Sequence, residues 1–239
     1  MGIKVTHIVL LAGMFLIAVP AAAIIVEDFG GHPAGTIVAG DLPGGGTAPG
    51  TIFSDFTVSV VANDAPNSVI IFDSSNPTGG DFDLGTPNQD FGGPGIGHGG
   101  QQGMPGENSV PYGNLLIIAE NILDSDGDGF VDAPNDDANG GAIIFDFDYV
   151  VDLQYMVIVD IDAESLTFET HEFGIFIGGD SGSDLGNNSI QIIDLTPFFS
   201  VDRLVVNFSS SGAIAELAYQ AAAVPVEKTT WGSVKSLYK

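Results

Sequence analysis

The sequence predicts an all-β protein: a single antiparallel β-sandwich, jelly-roll-like, with long loops rich in glycine and aspartate. Three observations favour this class. About ten short segments are rich in β-branched and aromatic residues, and turn formers separate them. No amphipathic helical pattern of useful length interrupts the series. Finally, segments such as FDFDYV alternate apolar with polar residues, which is typical of strands with one buried face.

The first 23 residues have the pattern of a secretory signal peptide. Lys4 precedes an uncharged apolar run at 8–19, and Pro20 and three alanines follow it. A charged start, a short apolar stretch and small residues at its end predict cleavage near Ala23. Pro20 and the shortness of the run disfavour the alternative, a retained membrane anchor. We therefore expect a secreted or cell-surface protein with no membrane span after cleavage.

The expected strands form two groups along the chain. The first group begins at IIVED and, after a Gly/Pro-rich connection, continues with strands at 51–62 and 67–73. The stretch 76–113 is dense in Gly, Pro, Asn and Gln, and loops of this length are usually functional, metal-bound or disordered. The second group consists of strands at 114–122, 141–150, 153–162, 165–170, 172–179, 188–195, 201–209 and 212–220. We expect them to build one domain over 24–220.

Charge and cysteine content exclude several classes of function. The chain has 31 acidic and five basic residues and no cysteine, and Arg203 is the only Lys or Arg between positions 24 and 226. Such a surface repels nucleic acid and anionic lipid. An exported domain without disulfides depends on packing or on bound metal. Solubility explains scattered acidic residues but not clustered ones, so the clusters favour metal binding.

The segment DSDGDGFVD at 124–132 predicts a calcium loop. Calcium takes six to eight oxygen ligands, and alternate aspartates of an EF-hand-like loop supply them. Gly129 makes the sharp turn, Phe130 offers its carbonyl, and Asp132 binds directly or through water. Asn135 stands at position twelve, where a glutamate is usual, and we expect the two aspartates after it to take its place. The expected ligands are Asp124, Asp126, Asp128, Phe130, Asp132, Asp136 and Asp137.

The flanks of this loop predict strands rather than helices, so a sensor function is disfavoured. The loop is better compared with the DxDxDG loops of thrombospondin-type and other extracellular modules, where calcium is structural. A second candidate site lies in IFDSSNPTGGDFDLGTPNQD at 71–90, where glycines allow carbonyls to turn inward. Asx turns are the competing explanation there. Its expected ligands are Asp73, Asn76, Asp81, Asp83 and Asp90.

Several motifs together resemble a class of exported bacterial β domains that occur on proteins with PEP-CTERM-type sorting signals. They are IFDSSNPTGGDFDLGTPN, NLLIIAE, PNDDANGGAIIFDFD, VDIDAES, GNNSIQIIDL and SSGAIAELAY. The resemblance covers roughly 28–219 and implies a β fold and metal binding. In related jelly rolls, acidic residues near the first strand and in the closing strand hold calcium. By position these are Glu27 or Asp28, and Glu216, although Leu217 stands where the family has a second aspartate.

The last segment, 221–239, is predicted to be a linker followed by a basic tail. It contains Lys228, Lys235, Lys239 and the only tryptophan. Its ending is similar to TWGxxKxLY endings of some secreted bacterial proteins, which implies a sorting or anchoring tag. The PEP-CTERM tripartite tail is absent. A cationic end that lies on the acidic body is the alternative.

No catalytic residue is expected. GGDSGSD at 178–184 is similar to the GDSG motif around the nucleophile of chymotrypsin-like proteases, and would make Ser181 that nucleophile. However, His32 and His98 lack that family's flanking residues, and with His171 they form no zinc-binding spacing. No pair among the acidic residues stands out as a glycosidase pair.

The function that the sequence favours is a secreted, non-catalytic, calcium-stabilised module of the cell surface or extracellular matrix. Two alternatives remain open. One is a carbohydrate-binding or adhesive module, with Tyr112, Tyr149 or Phe91 lining a groove near the long loop. The other is a self-assembling surface-layer or filament subunit that docks through its tail or an edge strand. The expected partners are therefore calcium ions, and either extracellular polysaccharide or copies of the chain itself.

Overall fold

A computed structural model describes residues 22–161 and 166–223 of the chain. Most of the expected signal peptide, positions 1–21, and most of the expected tail, from position 224, lie outside the described residues. The described part consists of strands, loops and two short 3-10 turns at Phe82–Leu84 and Gln89–Phe91. Among these residues, no helix has the length and apolar character needed to cross a membrane.

Twelve strands, all paired antiparallel, form the described part. They are β1 (Ile25–Glu27), β2 (Ile37–Asp41), β3 (Thr47–Pro49), β4 (Phe56–Ala62), β5 (Ser68–Asp73), β6 (Asn114–Ile118), β7 (Gly141–Val159), β8 (Leu166–Glu172), β9 (Ile175–Ser181), β10 (Ile190–Asp194), β11 (Val201–Phe208) and β12 (Ala213–Ala221). The prediction of an all-β antiparallel sandwich is confirmed. The short strands β2 and β3 fall in the stretch that the sequence indicates as a connection.

β7 organises the sandwich because it belongs to both layers. Its first part, 141–147, lies between β4 and β11. Its last part, 151–159, pairs with β12 on one side and, from residue 155, with β10 on the other. One layer therefore has the order β4-β7-β11-β8-β9 and the other β3-β2-β5-β6-β12-β7-β10, with β1 beside β12. The sequence predicts two strands at 141–150 and 153–162, but the structure has one. Neither glycine nor proline lies between residues 147 and 155, and register shifts in β11 and β12 allow the strand to bend there.

The central strands of the second layer, β5, β6 and β12, are buried on both faces. Its inner face packs against the first layer, with Phe56, Phe145, Leu204 and Tyr219 among the large buried side chains between them. Its outer face carries a second apolar cluster, formed by Ile70, Phe72, Leu84, Leu115, Ile117, Ala119, Val131, Val157, Val159, Ala213 and Ala215. Burial on both faces explains why SVIIF and NLLII are continuous apolar runs rather than alternating ones.

The long segment 76–113 covers this outer face. It contributes Leu84 to the apolar cluster, and its buried Asn88 and Asn108 are joined through a backbone hydrogen bond of 2.8 Å. The glycine content of the segment has a steric reason. A Cβ on Gly97 would lie 2.2 Å from the carbonyl oxygen of Asn187, so only glycine permits this close approach. The segment is thus a packed cover of the second layer.

Candidate metal centres

Three carboxylates of the 124–132 loop converge as the sequence predicts. Asp124, Asp126 and Asp128 each present one ligand atom, and these atoms all lie within 4.8 Å of one another. Ligands that share one calcium at about 2.3–2.6 Å are at most about 5 Å apart, so this spacing fits a single ion. Among the described residues, this is the only group of three acidic or histidine side chains with ligand atoms so close.

Hydrogen bonds to the backbone shape this loop. The carboxylate of Asp124 accepts from the N–H groups of Gly127 at 2.8 Å, Asp128 at 3.2 Å and Gly129 at 3.0 Å. Both glycines have positive φ, 77° and 92°, which turns the backbone around this carboxylate. The alternating aspartates are therefore held on the inside of the turn by local geometry that the DxDGDG sequence itself supplies.

The end of the loop is attached to the apolar cluster behind the second layer. Val131 is 3% exposed and belongs to that cluster. Its N–H donates to the carbonyl of Gly35 at 2.9 Å, and the N–H of Gly35 donates to the carbonyl of Ile71 in β5 at 2.8 Å. Asp132 closes the base of the loop, since its carboxylate accepts from the N–H of Ser125 at 2.8 Å. Phe130, which precedes Val131, is 38% exposed.

Asp136 and Asp137, the expected replacements for the position-twelve ligand, do not join the three converging carboxylates. Asp136 is buried and points into the interior, where it accepts hydrogen bonds from Ser211 Oγ at 2.5 Å and Gly212 N–H at 2.8 Å. Asp137 is also buried, and its Oδ1 accepts from the N–H of Asn139. The reason is local: residues 135–137 are extended and pair with the end of β6, so successive side chains alternate in direction.

Asp136 forms a carboxyl pair with Asp81 of the long segment. The N–H of Asp136 donates to Asp81 Oδ2 at 2.8 Å, and the two carboxyl groups interact directly. Burial and the facing Asp136 carboxylate raise the pKa of Asp81 to about 8. Burial likewise raises the pKa of Asp136, against the opposing effect of its bonds from Ser211 and Gly212. The pair therefore holds a shared proton near neutral pH when no cation is present.

A buried polar network extends from this pair to the other side of the cover. Ser211 Oγ also lies 3.3 Å from Asp160 Oδ2, and Asp160 Oδ1 accepts from the N–H of Asn188 at 2.7 Å. The side-chain amide of Asn188 donates to the carbonyls of Asp83 and Gly85 at 2.6 and 2.7 Å. The side-chain amide nitrogen of Asn187, when oriented toward these groups, donates to Asp83 Oδ2 at 3.2 Å and to Asp160 Oδ1 at 2.8 Å.

The acidic motifs alone do not identify Asp160, Asn188 or Ser211 as members of this network. The signal for them was present, because they lie in VDIDAES, GNNSIQIIDL and SSGAIAELAY, three of the segments that carry the family resemblance. Those segments come from the ends of β7 and β12 and from the turn before β10. They meet the 81–83 segment only after the sandwich has formed.

The other ligands expected for the second site are dispersed over the cover. Asp73 Oδ1 accepts from the N–H of Ser75 at 2.9 Å, and the N–H of Asn76 donates to the Asp73 carbonyl, so these residues form an Asx turn after β5. Asp90 accepts from the N–H of Gln102 at 3.1 Å. Asp83 lies with Asn187 in the network above.

Of the residues of the third expected site, Asp28 follows β1 and Glu216 lies on β12, and the two have separate partners. Asp28 caps its own turn, accepting from the N–H of Gly30 at 3.0 Å. Glu216 accepts from the Tyr155 hydroxyl at 3.2 Å. Burial raises the pKa of Glu27, while the N–H of Phe29, 2.9 Å from its carboxylate, acts in the opposite direction.

The expected glycan-binding aromatics lie on three separate elements. Tyr149 is in the middle of β7, Tyr112 precedes β6, and Phe91 ends the second 3-10 turn. Ser181 ends β9, opposite Thr167 of β8, whereas His171 is opposite Phe176. The β8–β9 register therefore separates Ser181 from His171 by about 13 Å along the strand.

No protein-family model and no curated protein matches this chain. Among solved structures, the F5/8 type C domain of a Bacteroides fragilis protein is similar to part of it. That similarity has 13% sequence identity and a TM-score of 0.26, and it covers 36% of this chain and 68% of the other. A similarity with this identity and TM-score says nothing about function.

Proposed function

We propose that this chain is an exported, non-catalytic structural module of the cell surface or extracellular matrix, and that calcium bound at the 124–132 loop stabilises it. The observation that supports this proposal is the convergence of Asp124, Asp126 and Asp128 within the reach of one ion. A cation bound to an acidic loop with no attachment to the core would add little to the stability of the domain. This loop is attached to the core, because Val131 at its end is buried in the apolar cluster.

The mechanism is electrostatic. Folding brings the three carboxylates together, and their repulsion opposes it. No Lys or Arg among the described residues neutralises them, since the guanidinium of Arg203 pairs with Asp146 at 2.5 Å on β11 and β7. A calcium ion removes this repulsion and fixes the loop. Through Val131 and Gly35 it also fixes the connection to β5.

The size of the effect follows from mass action. Calcium at about ten times its dissociation constant adds about 1.4 kcal/mol to the free energy of unfolding for each site. Net stabilities of domains are about 5–15 kcal/mol, so this is a substantial part of the total. For a domain of this size it raises the melting temperature by about 3–6 °C. Export into a calcium-containing medium then favours folding after secretion.

Thermal unfolding of the full chain, with calcium and with chelator, tests the proposal. Asp126→Asn removes one charged ligand from an exposed position, and Asp90→Asn is the matched control, because it removes one charge at an exposed site of the cover. We expect calcium to raise the melting temperature of the parent protein and the control, and Asp126→Asn to lose the contribution of the loop. The proposal is ruled out if calcium leaves the melting temperature of the parent protein unchanged.

A second candidate function, self-assembly, is favoured by β9. This strand pairs only with β8 within the described residues and is therefore an edge. Its apolar side chains are exposed on both faces: Ile175 is 70% and Phe176 58% exposed, and Phe173 in the preceding turn is 77% exposed. Edge strands of monomeric proteins are normally short, charged or covered. An uncovered apolar edge fits the addition of a strand from a second copy.

Analytical ultracentrifugation over a range of concentrations tests this candidate. Ile175→Lys places a charge on the edge, and Val110→Lys is the control, because Val110 is 53% exposed in the cover and far along the chain from β9. We expect the parent and the control to associate and Ile175→Lys to remain monomeric. A parent protein that stays monomeric at high concentration, with and without calcium, excludes self-assembly through β9.

A further inference from the structure

A groove with mostly apolar lining lies between β9 and the segment that connects β10 to β11. It has a volume of about 270 Å³ and is lined by Glu172, Ile177, Pro197, Phe198, Phe199 and Ser200. Phe199 is 67% exposed and Ile177 is 40% exposed. Soluble proteins rarely leave neighbouring large apolar side chains uncovered, and such a patch usually marks a contact surface.

Phe198 attaches this groove to the core of the sandwich. Its ring packs edge-to-face on the buried ring of Phe168, with the two centroids 5.4 Å apart. The backbone beside it is held by β7, because the N–H of Leu153 donates to the Phe198 carbonyl at 3.0 Å. The groove is therefore a preformed surface, and a ligand that binds there does not have to order it first.

The charges around the groove are negative. Glu172 is part of the lining, and Asp152 lies beside it, since its carboxylate accepts from the N–H of Ser200 at 3.1 Å. No Lys or Arg among the described residues lines the groove. An occupant that combines large apolar side chains with positive charge is complementary to such a surface.

The segment 224–239 of this chain has that composition. It contains Trp231, Val234 and Leu237, together with three lysines and a single glutamate. Between positions 24 and 226, Arg203 is the only Lys or Arg, and it pairs with Asp146. The chain therefore offers no other segment after position 24 that joins large apolar residues to more than one positive charge.

The end of β12 brings this segment close to the groove. Ala221, the last residue of β12, pairs with Val151 of β7, and Val201 of β11 pairs with Val151 from the other side. Two strand spacings, about 10 Å, thus separate Ala221 from Val201, which follows Ser200 of the groove. The chain from Ala223 to Trp231 can span up to about 26 Å, so Trp231 can reach the groove without any change in the sandwich.

We propose that the groove is the docking site of the segment 224–239 of the same chain, with Trp231 as its apolar anchor. The segment covers Phe199 and Ile177, and its lysines offset the charge of Glu172 and Asp152. A buried aromatic anchor surrounded by opposite charges is a common arrangement for such contacts. The docking requires neither calcium at the 124–132 loop nor association through β9.

Trp231 is the only tryptophan of the chain, so the fluorescence of the full chain reports on the docking directly. A tethered segment has an effective concentration of about 1 mM. If the segment alone binds the groove with a Kd of about 0.1 mM, its docked form exceeds its free form about tenfold. Acrylamide, a neutral quencher, should then reach Trp231 in only about a tenth of the molecules.

Phe199→Ser and Ile177→Ser remove apolar side chains of the groove at exposed positions. Loss of the Phe199 ring is expected to weaken docking about tenfold, because burial of an aromatic side chain contributes at least that much. The accessible fraction of Trp231 should then rise about fivefold, to about a half. Ile192→Ser is the matched control, because Ile192 is 65% exposed on β10 and does not line the groove. We expect it to match the parent.

Circular dichroism checks that each variant is folded, and the parent is measured over a range of protein concentrations. The inference is overturned if acrylamide reaches Trp231 equally in the parent, Phe199→Ser and Ile177→Ser. It is also overturned if protection of Trp231 appears only at high protein concentration, because the groove would then hold the segment of a second copy.

Discussion

The carboxyl pair of Asp81 and Asp136 predicts that the calcium-free protein becomes less stable as the pH rises. Burial raises the pKa of both groups, and the facing Asp136 carboxylate contributes to the rise of the Asp81 pKa to about 8. The folded state therefore holds a proton that the unfolded chain releases near pH 4. The stability that this proton provides is complete below about pH 4 and is lost as the pH rises through about 8.

Asp81→Asn replaces the shared proton by an amide that donates to Asp136 at every pH. A pKa difference of one is worth about 1.4 kcal/mol. However, Asp81 is only half-buried, and screening by solvent reduces the cost of ionisation to about 1–2 kcal/mol. In chelator we therefore expect the variant to exceed the parent by about 1–2 kcal/mol at pH 8.5, which is about 2–8 °C in melting temperature. Near pH 4 the difference should vanish.

Urea unfolding of both proteins between pH 4 and pH 9, in chelator, measures this difference directly. Asp90→Asn serves as the control, because it changes the net charge equally at an exposed position and should follow the parent across the range. The assignment of a shared proton to this pair is wrong if Asp81→Asn is no more stable than the parent at pH 8.5. It is also wrong if the difference in free energy of unfolding between the variant and the parent does not grow between pH 5 and pH 8.

Three further predictions, the first with Gly44→Ala as its control, concern the packing of the fold and are tested by urea unfolding. Gly50→Ala would place a Cβ 1.8 Å from a backbone oxygen of β4 and should prevent folding, whereas Gly44→Ala, also at positive φ but with open space around it, should cost about 1 kcal/mol. Asn188→Ala removes a buried amide that donates to two carbonyls, and should cost about 3 kcal/mol or more. Tyr219→Phe removes the hydroxyl that lies 3.0 Å from Asp55, and should cost about 1–2 kcal/mol while leaving the strand intact.

The alternation of apolar and polar residues and the positions of turn formers were sufficient to predict the fold class. The strands that the prediction missed or divided have physical explanations. β2 and β3 are short and contain Gly40 and Pro49, so their composition indicates a connection. β7 is a single strand because neighbours on both sides continue its ladder, and that information lies in β11 and β12 rather than in β7 itself. Pairing between distant segments is not visible in local periodicity.

The part of the candidate site that is formed by residues close together in the sequence could be predicted. The residues that shape the 124–132 loop are close in sequence, and their spacing alone makes the carboxylates converge. Asp136 and Asp137 were assigned to the same ion by proximity in sequence, yet strand alternation directs them to opposite sides of the segment. The hydrogen-bond partner that Asp136 finds there, Ser211, is 75 positions away, which spacing does not reveal.

The segment between β6 and β7 connects the acidic groups to the fold as a whole. It carries the loop aspartates and the buried member of the Asp81–Asp136 pair. It leads directly into β7, the one strand that belongs to both layers. Repulsion within this segment therefore acts on the junction of the sandwich and not on a peripheral turn. Because no Lys or Arg lies in this segment, we expect a bound cation to neutralise the loop carboxylates.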